Sequence, residues 1–180
     1  YIPLTVVEES SFDHSAQRKS FLLDKYSQEF LPKRERILVI DSAGMGKTTL
    51  SRFLFVQSIK TLSTVPIFIE LRHLSTEKLI IDYILSELNS LPIEKELKID
   101  RRQILRLLEK GVFTFFMDGY DEIGSTHREQ VTRDIKSLTE NFPKNKFLIT
   151  SRPEHALASF PSFQAFRIRS LKKEEAFTLI

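Results

Sequence analysis

Hydrophobic and polar positions along the chain switch between two patterns. Arg36 to Ile40 is almost continuously apolar, which predicts a strand buried on both faces of a parallel sheet. The same pattern predicts strands over Val65–Leu71, Val112–Met117 and Phe147–Thr150, and a short fifth over Ala165–Ile168. Helical spacing separates them. Leu50, Phe53 and Leu54 share a face between Lys47 and Lys60, and Ile80, Ile84 and Leu88 do so between Glu77 and Leu88. A linker with Pro92, Leu91 to Leu97, precedes a helix over Arg101–Glu109. Thr126-His127-Arg128-Glu129 has the form of a capping box. It opens a helix with Val131, Ile135, Leu138 and Phe142 on one stripe, which Pro143 stops. Upstream, Phe21, Leu22, Tyr26 and Phe30 predict a helix from His14 to Phe30 that Pro32 ends. Thr5 to Phe12 is mixed in polarity and ambiguous, and a last helix is expected from Lys172.

Alternating strands and helices imply an α/β fold around a mainly parallel sheet of about five strands, with right-handed crossovers. Residues 1–35 read as a lead-in segment containing a helix, and residues 36–180 as one domain. The 180 residues suffice for one domain with a sizeable core. With 41% hydrophobic and 28% charged residues, the composition is globular. There is no Cys, which excludes disulfides and thiolate metal sites and permits a reducing, cytoplasmic setting. No apolar run is long enough to span a membrane, and the first residues lack the pattern of a signal peptide. The missing initiator Met leads to the expectation that this is a segment of a longer chain. A net charge of +3 is mild. The basic clusters Lys33-Arg34-Glu35-Arg36, Arg101-Arg102 and Lys172-Lys173 read as solvated surface, and no nucleic-acid reader motif accompanies them.

The chemistry begins where the Arg36–Ile40 strand meets Asp41-Ser42-Ala43-Gly44-Met45-Gly46-Lys47-Thr48-Thr49. A strand enters a small-residue loop that ends in Gly-Lys-Thr and opens a helix. A triphosphate is held by such a loop through backbone N–H groups and the positive end of the helix dipole. Ser42 to Thr49 would cradle the phosphates, Lys47 would reach the β- and γ-phosphates, and the Thr48 hydroxyl would ligate Mg²⁺. Asp41 stands where this motif usually has its first glycine, and its carboxylate is expected to turn away from the phosphates. The fold expected from this loop is a P-loop NTPase three-layer sandwich.

A second constellation, Phe113 to Glu122, is an apolar strand that ends in acids. A carboxylate at the C-terminal tip of a buried parallel strand lies in the ligand crevice of an open sheet. Asp118 is placed to hold Mg²⁺, and Asp121 or Glu122, with Glu122 favoured, to polarise an attacking water. A third strand ends in Thr150-Ser151-Arg152-Pro153. If it lies beside the strand carrying Lys47 or Asp118, Arg152 points toward the γ-phosphate and can tell triphosphate from diphosphate.

Three functions fit these residues: a regulatory ATPase, a P-loop small-molecule kinase, and a nucleotide-binding scaffold without turnover. A kinase needs an Arg-rich lid, and Arg101, Arg102 and Arg106 are its nearest candidates, although they read better as an exposed helix. A GTPase is disfavoured because Asn145-Lys146 is followed by Phe147 and Leu148 rather than completing the guanine-reading motif.

Together, Ala43 to Leu50 (A-G-M-G-K-T-T-L), Asp118 to Glu122 (D-G-Y-D-E) and Thr150 to Pro153 (T-S-R-P) resemble the NACHT family of signalling NTPases. That family belongs to the STAND class of multidomain P-loop switches, which includes plant resistance and apoptotic ATPases. The resemblance implies that Lys47 and Thr48 bind phosphates and Mg²⁺, that Asp118 is the Walker B acid, that Asp121 or Glu122 supports hydrolysis, and that Arg152 is a sensor. It further implies ATP and ADP as ligands, slow hydrolysis acting as a timer, and self-association of the full protein. Effector and sensor domains outside this segment and a role in innate or antiphage defence are also implied. The family's helical and winged-helix subdomains are not within this stretch.

Overall fold

The computed structural model describes residues 3–9, 19–23, 30–61, 64–90 and 98–170. They form a seven-stranded sheet flanked by helices on both faces. The strands are β1 (Leu4–Glu8), β2 (Ser20–Leu23), β3 (Arg36–Ile40), β4 (Val65–Glu70), β5 (Phe113–Asp118), β6 (Lys146–Ser151) and β7 (Gln164–Ile168). Their order is β2-β1-β7-β3-β6-β5-β4. The five strands from β7 to β4 are parallel, whereas β1 pairs antiparallel with both β7 and β2.

The sheet therefore has two strands more than the sequence pattern gave, and both come from the lead-in segment. The helix expected from His14 to Phe30 is contradicted at its centre, where Ser20–Leu23 is a strand. Phe21 packs against the core and Leu23 is fully buried, while Leu22 between them is 55% exposed. That is the period of two of an edge strand, which a short run of Phe and Leu also allows to be read as helical spacing. The flanks of that expected helix, the linker 91–97 and the helix expected after Lys172 lie outside the described residues.

The helices are α1 (Lys47–Thr61), α2 (Ile80–Ser90), α3 (Arg101–Lys110) and α4 (Ser125–Asn141). Adjacent residues of the central strands feed opposite layers, as the pleat requires. Ile37, Val39, Phe116 and Leu148 pack with Leu50 and Leu54 of α1 on one face. Leu38, Phe115, Met117, Phe147 and Ile149 pack with Ile84, Ile104, Leu108, Val131 and Ile135 of α2 to α4 on the other. Every residue of β5 is buried. Its Phe115 lies directly opposite Phe147 of β6, with the rings stacked 5.4 Å apart.

Two local expectations are corrected. Thr126 does not cap α4: the cap is Gly124, with no side-chain hydrogen bond, and the helix has already begun at Ser125. A capping box forms instead at α3, where Asp100 accepts from the Gln103 N–H and Gln103 accepts from the Asp100 N–H, each at 2.8 Å. The basic cluster before β3 is not simply solvated either. The Arg34 guanidinium lies over Phe21 at 4.4 Å, Phe30 at 5.2 Å and Phe166 at 5.3 Å, and so joins β2 to β7 by cation–π contact. Arg36 donates to Ser162 Oγ and to the Thr139 carbonyl. Among the described residues no helix is long and apolar enough to cross a membrane.

Asp134 of α4 reaches across to α2 and accepts from the Ile80 N–H at 2.8 Å. Burial pushes this carboxyl above its ordinary value, against the lowering effect of the Ile80 bond. A carboxyl raised on folding adds most stability when protonated, and that contribution is lost as pH rises through the folded-state value. Asp134→Asn keeps an acceptor without a charge, so it is expected to hold or raise the urea midpoint at pH 7. Asp134→Ala is expected to lower stability by about 1 kcal/mol through loss of the helix cap. The wild type should lose stability relative to Asp134→Asn as pH rises from acid.

Candidate functional site

The strand order brings three chemically loaded strand ends side by side. β6 lies between β3 and β5, with Ile40 opposite Ser151 and Met117 opposite Ile149. The condition set for Arg152 is met on both sides, because β6 neighbours the strand leading to Lys47 and the strand ending in Asp118. α1 leaves β3 on one face and α4 leaves β5 on the other, which opens a crevice at the C-terminal edge of the sheet.

The loop after β3 turns through Gly44 (φ 79°) and Gly46 (φ 90°), a left-handed geometry that favours glycine. α1 starts at once, the Leu50 N–H donating to the Gly46 carbonyl at 2.8 Å. Asp41 is buried and does not line the cleft at these strand ends: Oδ1 accepts from the Ser42 N–H of the loop at 2.8 Å and Oδ2 from the Ile168 N–H of β7 at 3.0 Å. Lys47 Nζ donates to the carbonyls of Asp41 at 2.6 Å and Ser42 at 2.7 Å. Burial lowers the Lys47 pKa, with Asp121 and Asp41 acting in the opposite direction.

At the end of β5, Asp118 is 8% exposed. Its Oδ1 accepts from the Thr150 hydroxyl at 2.6 Å, and the same hydroxyl accepts from the Gly119 N–H at 2.9 Å. A 3-10 turn, Tyr120–Glu122, follows. Tyr120 points into the core, bonded to Thr132 Oγ1 at 2.7 Å and set edge-on against Phe160. With Tyr120 anchored, Asp121 and Glu122, which follow it, face the cleft rather than the core. Asp121 Oδ1 accepts from the Arg152 backbone N–H at 2.9 Å, and Oδ2 forms an ion pair with Arg152 Nε at 3.1 Å. The Glu122 side chain is 46% exposed, and its Oε2 lies 3.6 Å from an Arg72 nitrogen.

These groups surround a cleft of about 290 Å³. Ala43, Gly44, Gly46, Lys47, Thr48, Thr49, Asp121, Glu122 and Arg152 line it, with Gly119 and Thr150. Ser42, Met45 and Asp118 do not, although Asp118 is bonded to Thr150, which does. Arg101, Arg102 and Arg106 are not among its lining residues, and Arg101 pairs with Asp82. Asn145 is fully buried, accepting from the Phe113 N–H and donating to the Leu108 and Phe142 carbonyls.

One contributor has no clear mark in the sequence. Arg128 turns back from the first part of α4 and donates to the carbonyls of Asp121 at 2.9 Å and Ile123 at 3.0 Å. Its other nitrogen bonds Glu154 at 2.8 Å. It therefore ties the acidic turn to the loop that carries Arg152. The partner was legible only as an acid two residues after Arg152.

The NACHT domain family model matches residues 35–180. The chain belongs to the NACHT family, and in general terms it is an NTPase-type signalling module. A comparison with curated proteins gave no match.

Thr150→Val removes both the donor to Asp118 and the acceptor for the Gly119 N–H. Because both bonds are buried, the variant is expected to be destabilised by about 1–3 kcal/mol in chemical denaturation. Thr150→Ser keeps the hydroxyl and should retain most of that stability.

Proposed function

We propose that this domain binds ATP and ADP with Mg²⁺ and hydrolyses ATP slowly, as the conformational and oligomerisation switch of a larger cytoplasmic signalling or defence protein. The observation that carries the reading is the convergence of Lys47, Thr48, Asp121, Glu122 and Arg152 on one cleft at three neighbouring strand ends. The donor set suits the ligands. The start of a 15-residue helix and a glycine-turned loop fit a polyphosphate. The space where a Gly44 side chain would stand is open. A hydroxyl at Thr48 and a carboxylate at Asp118 are hard oxygen donors. Mg²⁺ is commonly bound by one or two such groups together with phosphate oxygens. Among the described residues no cluster of His, Asp and Glu forms a self-contained metal site, so the phosphates would complete the coordination.

In this reading Lys47 leaves its loop carbonyls for the β- and γ-phosphates, and Thr48 and Asp118 hold Mg²⁺. When bound, the ion neutralises charge on the phosphate oxygens. Glu122 orients a water toward the γ-phosphorus and takes its proton as the β–γ bridge breaks, leaving ADP and phosphate. Arg152, shared with Asp121, is drawn toward a γ-phosphate when one is present. Its Asp121 contact would then loosen, giving the ATP and ADP states different arrangements at the end of β6. Only such a difference in affinity for two states can drive a switch. Self-association and attached sensor and effector domains follow from the family reading.

Nucleotide released on denaturing the purified protein, identified by chromatography, tests the ligand. Lys47→Ala is expected to weaken binding by about 100-fold, the worth of a ~3 kcal/mol charge-assisted bond. Normal ATP binding by this variant would sink the site assignment. Glu122→Gln should bind nucleotide and lower kcat by roughly 10²-fold or more. If turnover is absent in the wild type while binding is intact, the scaffold reading replaces the hydrolase. Transfer of the phosphoryl group to a small acceptor rather than water would favour a kinase.

Arg152→Ala is expected to weaken ATP more than ADP in a titration. Equal loss for both would remove its sensor role.

A further inference from the structure

Glu122 is held by more than its own turn. The turn is anchored by buried Tyr120 and closed by the Glu122 N–H donating to the Gly119 carbonyl at 2.9 Å. The side chain then folds back over Gly119, which has φ 77°. A Cβ built on Gly119 would lie 3.0 Å from Glu122 Cδ and 3.2 Å from Oε2, so the missing side chain is the space the carboxylate occupies.

From the other side comes Arg72. It sits on a 3-10 turn, Leu71–His73, after β4, between the buried side chains of Leu71 and Leu74. Its backbone is therefore fixed and its side chain projects toward the acidic turn. One guanidinium nitrogen bonds Glu70 Oε2 and the other lies 3.6 Å from Glu122 Oε2. Glu70 is itself placed by register, directly opposite Asp118. Its second oxygen accepts from Arg52 of α1 at 2.9 Å. Burial pushes the Glu70 carboxyl up, but the hydrogen bonds from Arg72 and Arg52 outweigh that and hold it below its ordinary value. Arg52, Glu70, Arg72 and Glu122 thus form a chain of alternating charge from α1 to the rim of the cleft. A guanidinium suits the third place because its planar fork spans two carboxylates at once.

We propose that Arg72 is a positioning residue for hydrolysis: braced by Glu70 and Arg52, it fixes the Glu122 carboxylate over Gly119, where it orients the attacking water. The proposal rests on the role given to Glu122 above. Arg72 is not among the cleft-lining residues and is half exposed. An exposed ion pair contributes little to folding stability. Its effect falls instead on the orientation of a reacting group, where small misplacements are costly.

The test is single-turnover ATP hydrolysis by the full-length protein, with ADP affinity by titration, for Arg72→Ala, Glu122→Gln and the double variant. Arg72→Ala is expected to slow turnover by about tenfold, since orientation is a large part of catalysis. ADP affinity should stay within about twofold and the melting temperature should hardly move. In the Glu122→Gln background the same substitution should cost nothing further, because two residues acting through one step are not additive. Arg72→Lys should recover only part of the rate, since an ammonium cannot bridge both acids in one plane. Unchanged or faster turnover in Arg72→Ala would overturn the proposal. So would an equal loss in the Glu122→Gln background, or a loss of ADP affinity as large as the loss of rate. If Glu122→Gln itself turns over normally, the role of Glu122 fails. If Glu122→Gln is slow and Arg72→Ala is not, the positioning role alone fails.

Discussion

The Thr150 hydroxyl joins the ends of two strands. It donates to the Asp118 carboxylate and accepts from the Gly119 N–H, both within hydrogen-bond distance and both buried. A single side chain of β6 thereby fixes the rotamer of the last residue of β5 and the backbone of the turn that follows. This is possible only because β6 runs between β3 and β5. The strand order is consequently more than a frame: it places a buried hydroxyl where the acidic turn begins. Phe115 stacked on Phe147 one layer deeper holds the register on which that bond depends.

Around this tie the charges are matched pair by pair. Arg152 holds Asp121, Arg72 faces Glu122, and Arg128 holds the turn's carbonyls while pairing with Glu154. In the proposed reading, an acidic turn beside the Gly44–Lys47 loop would otherwise repel a phosphate ligand. Each arginine lowers that repulsion and gives an acid a fixed direction. Lys47, whose pKa burial lowers while Asp121 and Asp41 act in the opposite direction, completes a site whose cations and anions interleave. Family membership and geometry are thus separate supports, one from the match over residues 35–180 and the other from the cleft.

The parallel strands were legible in the sequence because burial on both faces leaves a nearly continuous apolar run, as in Ile37 to Ile40. The outer strands were not. Leu4–Glu8 is short and mixed in polarity, and Phe21 with Leu22 fits a helix as readily as a strand until β1 supplies its partner. The capping box at Thr126 failed for a similar reason. Its Arg128 has tertiary partners that local pattern cannot contain. Motif spacing marks strand ends, and Lys47, Thr48, Asp121, Glu122 and Arg152, named from it, line one cleft, with Asp118 behind it through Thr150. Arg72 and Arg128 could not be named this way, since their roles lie in contacts between segments distant along the chain.

Asp41 shows how such contacts fix a sequence. Its Oδ2 is the partner of the buried Ile168 N–H, and through β7 it reaches the strand pair at the far edge of the sheet. A glycine at this position would match the common loop consensus and leave that N–H orphaned. Glycine at 41 is therefore disfavoured by a residue more than a hundred positions away. The identity of one loop residue is thus tied to the outer strands of the sheet.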